Sequence, residues 1–295
     1  AERWRDALEF FEEMIEGHCE PDTICFNAAI SACEKCRQLR PALELMQQMD
    51  HLEVPKSIVT FSTAISACGA NWQLALHLLS GSSLRNTVSY SAAISACEKA
   101  GNWSVMLLLL EEMLSEQVRP NVVTCSACIA ACEKGREWRR ALKLLRSMKS
   151  LEAEPNTFSY NSAISACERG SQLPLALKLM EEMDDLQICK DVITFGAAVF
   201  CCEQHGQWRL AQQLLQEMAE IQVEKNAVTV NSAISTFGVA NRWQSALCLL
   251  EDMHQTLIEA TTVSYTAALS AAAAADSWMT SLALLTEMAT KMTRE

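Results

Sequence analysis

Cysteine is the residue in this chain whose type and spacing most directly suggest chemistry. There are fourteen in 295 residues, and Cys33-x-x-Cys36 and Cys125-x-x-Cys128 each have the spacing of half a zinc ribbon. Thiolates so spaced hold zinc when a second pair, or histidines, complete the tetrahedron. Here no second pair stands at zinc spacing and the five histidines are scattered, so no metal site is assigned and no cofactor is expected. A disulfide framework fails on distance. Cys33, Cys68, Cys97, Cys132, Cys167 and Cys202 fall at one place in a repeated pattern. Equivalent places in stacked helices lie about 9–10 Å apart, beyond the ~7 Å that separates the Cα atoms of a disulfide. These thiols read as small buried apolar groups in a reducing compartment.

The second candidate is a stripe of small polar side chains. Asn161, Ser165 and Arg169 follow one another at a spacing of four, so a helix lines up an amide, a hydroxyl and a cation. That is hydrogen-bonding chemistry. There is no His-x-Glu with Pro-Cys-x-x-Cys of a zinc deaminase and no nuclease carboxylate cluster outside the helical pattern, so no enzyme is expected.

The elements that must position this stripe come from a repeat. Asn121-Val-Val-Thr-Cys-Ser-Ala-Cys-Ile-Ala-Ala-Cys-Glu-Lys134 is written again 35 residues later as Asn156 to Arg169, and 35 residues earlier as Asn86 to Lys99. With position 1 placed after the recurring Asn or Asp, repeats span 23–57, 58–86, 87–121, 122–156, 157–191, 192–226, 227–261 and 262–295; residues 1–22 are the second half of an earlier unit. All are read as one solenoid domain, in which each unit buries its apolar face only against its neighbours. The repeat 58–86 has 29 residues and is expected to disturb the register between the first and third units. Trp4, Trp103, Trp138, Trp208, Trp243 and Trp278 fall at position 17, and Trp72 joins them once the short repeat is gapped. One residue class at one place in so many units is a packing requirement, not a catalytic site.

Within a unit, Tyr160, Ile164 and Cys167 at positions 4, 8 and 11 share one face of a first helix over positions 3 to 13. Thr or Ser at position 3 is the expected N-cap. Trp138, Ala141, Leu142, Leu145 and Met148 form the apolar stripe of a second helix, over about positions 16 to 29. Pro21, Pro120 and Pro155 at position 34 are expected to keep the linker from extending that helix. The unit is an antiparallel helix hairpin.

Composition sets the remaining bounds. Half the residues are hydrophobic, but no apolar run approaches the ~18–20 residues that cross a bilayer, so no membrane partner is expected. The chain carries no signal or transit peptide, begins at Ala1 and shows no polar capping repeat, and reads as a window cut from a longer array. The net charge is −12. Acid pairs cluster late in the second helix, at Glu12–Glu13, Glu111–Glu112, Glu181–Glu182 and Glu251–Asp252, whereas Lys35, Lys99, Lys134 and Arg169 recur at position 13 of the first. The acidic excess is therefore expected outside, away from a face lined by first helices.

These residues resemble a known family. Val122-Val-Thr, Tyr160-Asn161, Ala141-Leu142-x-Leu144 with Met148, and Pro155-Asn156 match the pattern of the pentatricopeptide repeat (PPR) family, as a P-type array of 35-residue repeats over the whole chain. Tetratricopeptide repeats have 34 residues, keep Trp and Tyr in the first helix and lack the Pro-Asn ending. The resemblance implies an all-α, right-handed superhelical solenoid of antiparallel helix hairpins that binds single-stranded RNA, one base per repeat. It implies that position 2 flanks the base: Ile24, Val59, Val88, Val123, Phe158, Ile193, Val228 and Val263. It implies that position 5 and the last residue read the base edge. Those pairs are Asn27 with Ser57, Ser62 with Asn86, Ser91 with Asn121, Ser126 with Asn156, Asn161 with Asp191, Gly196 with Asn226, and Asn231 with Thr261, followed by Thr266 alone. Lys35, Lys99, Lys134 and Arg169 would hold phosphates.

An Asn amide with an Asp carboxylate suits uracil, and a Ser hydroxyl with an Asn amide suits adenine. The family's pairing rules then give, 5′ to 3′, C or U, A, A, A, U, an unread base, C or U, and a purine. Gly196 has no side chain to read with, and Gln204, Val239 and Ala274 replace the cation in the last three repeats. The role implied is a monomeric adaptor in chloroplast or mitochondrial RNA processing, stability, editing or translation, with a processing or editing enzyme acting in trans. The alternative is a helical-repeat scaffold for protein–protein interaction, whose groove would carry varied aromatic and charged anchors.

Overall fold

The computed structural model describes residues 3–16, 21–82, 85–256, 258, 260–274 and 278–292, with helix and no strand among them. Two compact units divide the chain, residues 1–135 with 140–155, and residues 136–139 with 156–295. In the first unit the helices run α1 (Arg3–Glu16), α2 (Thr23–Lys35), α3 (Leu39–His51), α4 (Ile58–Ala67), α5 (Trp72–Gly81), α6 (Thr87–Lys99), α7 (Trp103–Ser115) and α8 (Val122–Lys134). Helix α9 (Trp138–Ser150) has residues in both. The second unit continues with α10 (Thr157–Arg169), α11 (Leu173–Asp185), α12 (Val192–His205), α13 (Trp208–Glu220), α14 (Ala227–Val239), α15 (Trp243–Gln255), α16 (Thr262–Ala274) and α17 (Trp278–Met292).

Within each unit the first helices stack on one another, α2 on α4 on α6 on α8, and α10 on α12 on α14 on α16. Within each unit, among the described residues, successive second helices do not approach backbone to backbone. Side-chain size accounts for this. The buried faces of the first helices carry Ala and Cys between single large residues, for example Tyr90, Ala93, Ile94 and Cys97 in α6. Small side chains let helix axes come close, and the fully buried Ile30, Ile65, Ile94, Ile129, Ile164 and Ile234 at position 8 fill the seam. The second helices contribute Met49, Met113, Met148, Met183 and Met218, all fully buried at position 27. Every described cysteine is a free thiol, and burial pushes Cys68, Cys97, Cys167 and Cys202 up to about 11, which suits inert core residues.

Three features differ from the sequence reading. The first helices begin at position 1, not 3, because the residue before position 1 is the cap. The second helices α3, α7, α9, α11, α13 and α15 stop at position 29, where the sequence reading ended them, but the proline at position 34 is not the cause. Glu53, Gln117, Glu152, Gln187 and Gln222 at position 31 take left-handed backbone, with φ between 54° and 61°. The next amide then bonds back to the buried Met carbonyl, as in Val118 to Met113 and Ile188 to Met183. This is the usual helix-ending hydrogen bond. It recurs where position 34 is Lys190 or Lys225, so Pro120 and Pro155 are not what ends the helix.

The third difference lies in the short repeat. Helix α4 ends at Ala67 and α5 at Gly81, so the missing residues come from the far turns of both helices. The start of α4 is intact and packs on α2 and α6, so the row of first helices continues through it. Arg85 rebuilds the shortened linker, bonding Glu112 at 2.6 Å and Glu116 at 2.8 Å, while Tyr90 donates its hydroxyl to Glu116. Lys190 plays the same part in a full-length repeat, 2.6 Å from both Asp184 and Glu217. Several acids of the second helices thus anchor the cation at position 34.

The side chains of Trp4 and Trp278 lie outside the described residues. Trp103 shows what position 17 does: its ring lies against Gly135, at position 14 of the next repeat, where an added Cβ would sit 2.7 Å from the indole. Replacing Gly135 by Val should lower the free energy of urea unfolding by roughly 1–3 kcal/mol of overpacking cost, while Gly81→Ala, which meets open space in α5, should not lower it.

Candidate functional site

The four leading amides of a helix have no partner inside it, and here the last residue of the preceding repeat supplies one. Asn121 Oδ1 accepts from the Thr124 amide at 2.8 Å and from the Thr124 hydroxyl at 2.8 Å. Asn226 does the same with Thr229, at 2.8 and 2.7 Å. Asn86 accepts from Ser89, Asn156 from Ser159, Asp22 from the amides of Ile24 and Cys25, and Ser57 from Thr60. These side chains are caps, and the position 3 residue, expected in that role, instead completes a capping box at Ser57, Asn86, Asn156 and Asp191.

Capping settles which way each amide points. Donors from the helix require oxygen on the inside, so an Asn here has only its NH2 to turn outward, and an Asp its second oxygen. At Asp191, Oδ1 accepts from the amides of Ile193 and Thr194 at 3.0 Å, leaving Oδ2 directed at Asn161.

Position 5 meets this cap across the repeat boundary. Asn161 Nδ2 donates to both oxygens of Asp191, at 2.9 and 3.0 Å, and Asn161 Oδ1 accepts from the Thr194 hydroxyl at 2.6 Å. Asn27 repeats the arrangement, donating to Ser57 Oγ at 3.2 Å and accepting from Thr60 Oγ1 at 2.6 Å. Ser91 lies 2.8 Å from the Thr124 hydroxyl and reaches Asn121 only through it. Ser62 donates to its own helix at Val59 rather than to Asn86. Gly196 faces Thr229 Oγ1, 3.6 Å from where a Cβ would stand, so a side chain fits there. Asn231 has its Oδ1 buried and without a hydrogen-bond partner, and Thr266 donates to the Val263 carbonyl. Ser126 and Asn156 belong to different units; Ser126 is buried and Asn156 caps α10.

The position 2 residues are exposed against their chemistry. Ile24, Val59, Val88, Val123, Phe158, Ile193, Val228 and Val263 are large and apolar, yet 53–74% of their surface meets solvent. One such residue precedes each position 5 by a single turn, so every repeat but the one with Gly196 offers an apolar platform beside a hydrogen-bonding group. Lys35, Lys99, Lys134 and Arg169 are exposed at the far end of the same helices. The half-buried Glu34, Glu98, Glu133 and Glu168 precede them. Further on, burial holds the Glu203 carboxyl above the usual carboxylate range, against hydrogen bonds from Ser232 and Ser235. No group of His, Cys, Asp and Glu among the described residues has the makings of a metal site, and no helix there is long and apolar enough to cross a membrane.

The sequence reading missed the position 3 hydroxyls of Thr60, Thr124 and Thr194, which join cap and position 5. Their only signal was recurrence, and an N-cap accounted for that equally well.

Within each compact unit, stacked hairpins whose first helices carry an exposed apolar residue one turn before position 5 define an α-solenoid of helix hairpins. Family models agree on its kind. The PPR repeat family matches residues 85–134 and 120–169, the pentatricopeptide repeat domain 2–36, 11–71 and 178–240, and the PPR repeat 158–188 and 228–255. The chain belongs to the pentatricopeptide repeat family. No curated protein sequence matches it. Among solved structures, the pentatricopeptide repeat protein PPR10 from maize aligns with a TM-score of 0.66 at 17% identity, over 95% of this chain and 45% of that one. PPR10 in complex with an 18-nt psaJ RNA element gives 0.56 at 17% identity, over 94% and 46%. The PPR domain of Arabidopsis thaliana protein-only RNase P 1 in complex with tRNA gives 0.53 at 14% identity, over 58% of this chain and 90% of that domain. At these identities the likeness is one of fold, and the chain spans less than half the length of the maize protein.

The capping role can be measured without any ligand. Asn226→Ala removes both bonds to Thr229 and should cost about 0.5–2 kcal/mol in urea unfolding, whereas Asn226→Asp, which keeps an acceptor, should cost less than about 0.5 kcal/mol.

Proposed function

We propose that this chain binds single-stranded RNA in sequence, one base to each repeat, as a non-catalytic adaptor. The observation that carries the reading is the Asn161–Asp191–Thr194 group, with its hydrogen-bonding atoms oriented before any ligand arrives and the exposed Phe158 one turn away. The position 2 side chains flank successive bases. Position 5 and the capping residue read the base edge. Lys35, Lys99, Lys134 and Arg169 meet the phosphates. The RNA complexes of the maize and Arabidopsis proteins support RNA as the ligand class.

The caps supply a physical basis for the expected bases. The outward NH2 of Asn86, Asn121 and Asn156 suits a ring nitrogen that accepts, as adenine N1 does, whereas Asp191 Oδ2 suits the N3–H of uracil. The reading is YAAAU, an unselected base at Gly196, then a pyrimidine and a purine. Affinity falls with salt, since phosphate contacts dominate it, and is weakest toward the C-terminal repeats, which lack a cation at position 13. By family, the setting is a chloroplast or mitochondrion, the protein acts as a monomer, and any processing or editing chemistry belongs to an enzyme in trans.

Selection from a random single-stranded RNA pool at low, stated salt tests this directly, with single-stranded DNA and duplex RNA as controls. Enrichment of a YAAAU motif is expected, and the double change Asn161→Ser with Asp191→Asn should move the fifth base from U to A, a switch worth about 1–3 kcal/mol by analogy with direct readout of DNA. No RNA binding at low salt would transfer the assignment to a protein-binding scaffold.

A further inference from the structure

We propose that the hydroxyl at position 3 of the following repeat is a positioning residue for base choice: it locks the position 5 side chain, and a Thr there locks it where a Ser does not. This rests on the RNA reading above and adds to it a residue that touches no base.

Each Thr that faces a side chain bonds it. Thr60 donates to Asn27 Oδ1 and Thr194 to Asn161 Oδ1, both at 2.6 Å; Thr124 lies 2.8 Å from Ser91 Oγ, which also donates to the Thr87 carbonyl of its own helix. At Asn161 turning the amide over would set its oxygen against the Asp191 carboxylate; at Asn27, whose cap partner is the Ser57 hydroxyl, the bond donated by Thr60 is what favours the amide's orientation. Ser89 and Ser264 behave differently. Ser89 Oγ donates back to the Asn86 carbonyl at 2.9 Å, and Ser62 turns to Val59 instead. Ser264 Oγ accepts from the Thr261 amide at 3.0 Å, and Asn231 Oδ1 is left buried with no partner. The γ-methyl of Thr narrows χ1 and holds its hydroxyl where Ser is free to turn. Asn231 should therefore select its base less sharply than Asn161 selects its own.

Thr229 supplies a matched control. It makes the same capping bonds as Thr124, to Asn226, but faces Gly196, which has nothing to orient. Thr→Val at either site removes a hydroxyl from the same place in the fold and differs only in whether position 5 loses a partner.

The test measures binding of the parent and of Thr194→Val, Thr60→Val, Thr229→Val and Ser264→Thr to the selected RNA and to single-base variants of it. Thr194→Val should lower U preference at the fifth base, and Thr60→Val the preference at the first, by roughly three- to tenfold, the change one hydrogen bond supports. Other positions should keep theirs. Thr229→Val should alter no preference, and Ser264→Thr should sharpen the seventh. A Thr194→Val protein that binds with the parent's fifth-base preference overturns the inference, as does an equal loss of preference in Thr229→Val. Absence of base preference in the parent overturns the RNA reading itself, which keeps the two failures distinct.

Discussion

One hydrogen bond orders the rest of this molecule: the side-chain oxygen that ends each repeat accepting the amide that opens the next. It is a stability device, since a helix start buried between two others cannot leave its amides to water. It is also an orienting device. Committing the inner oxygen of Asn86, Asn121 or Asn226 to the helix leaves each residue a single kind of atom to show outward. Asn becomes a donor and Asp an acceptor with no energy left to spend on the choice when a ligand arrives. A residue that served binding alone would lose rotamer freedom at that moment.

The rest of the unit keeps those caps at a regular spacing. Ala and Cys on the first helices allow a close row, and Met and Leu on the second helices fill the outer side of each hairpin. The left-handed residue at position 31 ends the second helix at the same place whether or not a proline follows. The cation or proline at position 34 then sets the linker, and Arg85 and Lys190 draw carboxylates from the following second helix to do so. The short repeat shows which parts matter. It loses the far turn of each helix and keeps the cap, position 2 and position 5.

Charge follows the same division. A net charge of −12 opposes a polyanionic ligand at long range, but that opposition is screened beyond about 8–10 Å at ordinary salt. The exposed cations at position 13 lie on the first helices, with positions 2 and 5. Several acids of the second helices are neutralised by the linker cations. Local arrangement, more than net charge, decides what the first-helix face can hold.

Much of this could be read from the sequence. The 35-residue period, two helices per unit and the core at positions 4, 8 and 11 follow from spacing alone, because helical periodicity places each residue relative to its near neighbours in the chain. The exposed position 2 residues and the cap–position 5 pairs followed from resemblance to a family. What only the tertiary structure decided are contacts whose partners stand about thirty residues apart in sequence: Thr194 on Asn161, Gly135 under Trp103, Arg85 on Glu112. Local pattern carries no information on which hydroxyl of one unit reaches which amide of the last. Position 3 looked like an N-cap and Pro120 like a helix stop for a different reason: neighbouring residues compete for the same local role, and the backbone geometry gives the first to Asn121 and the second to Gln117.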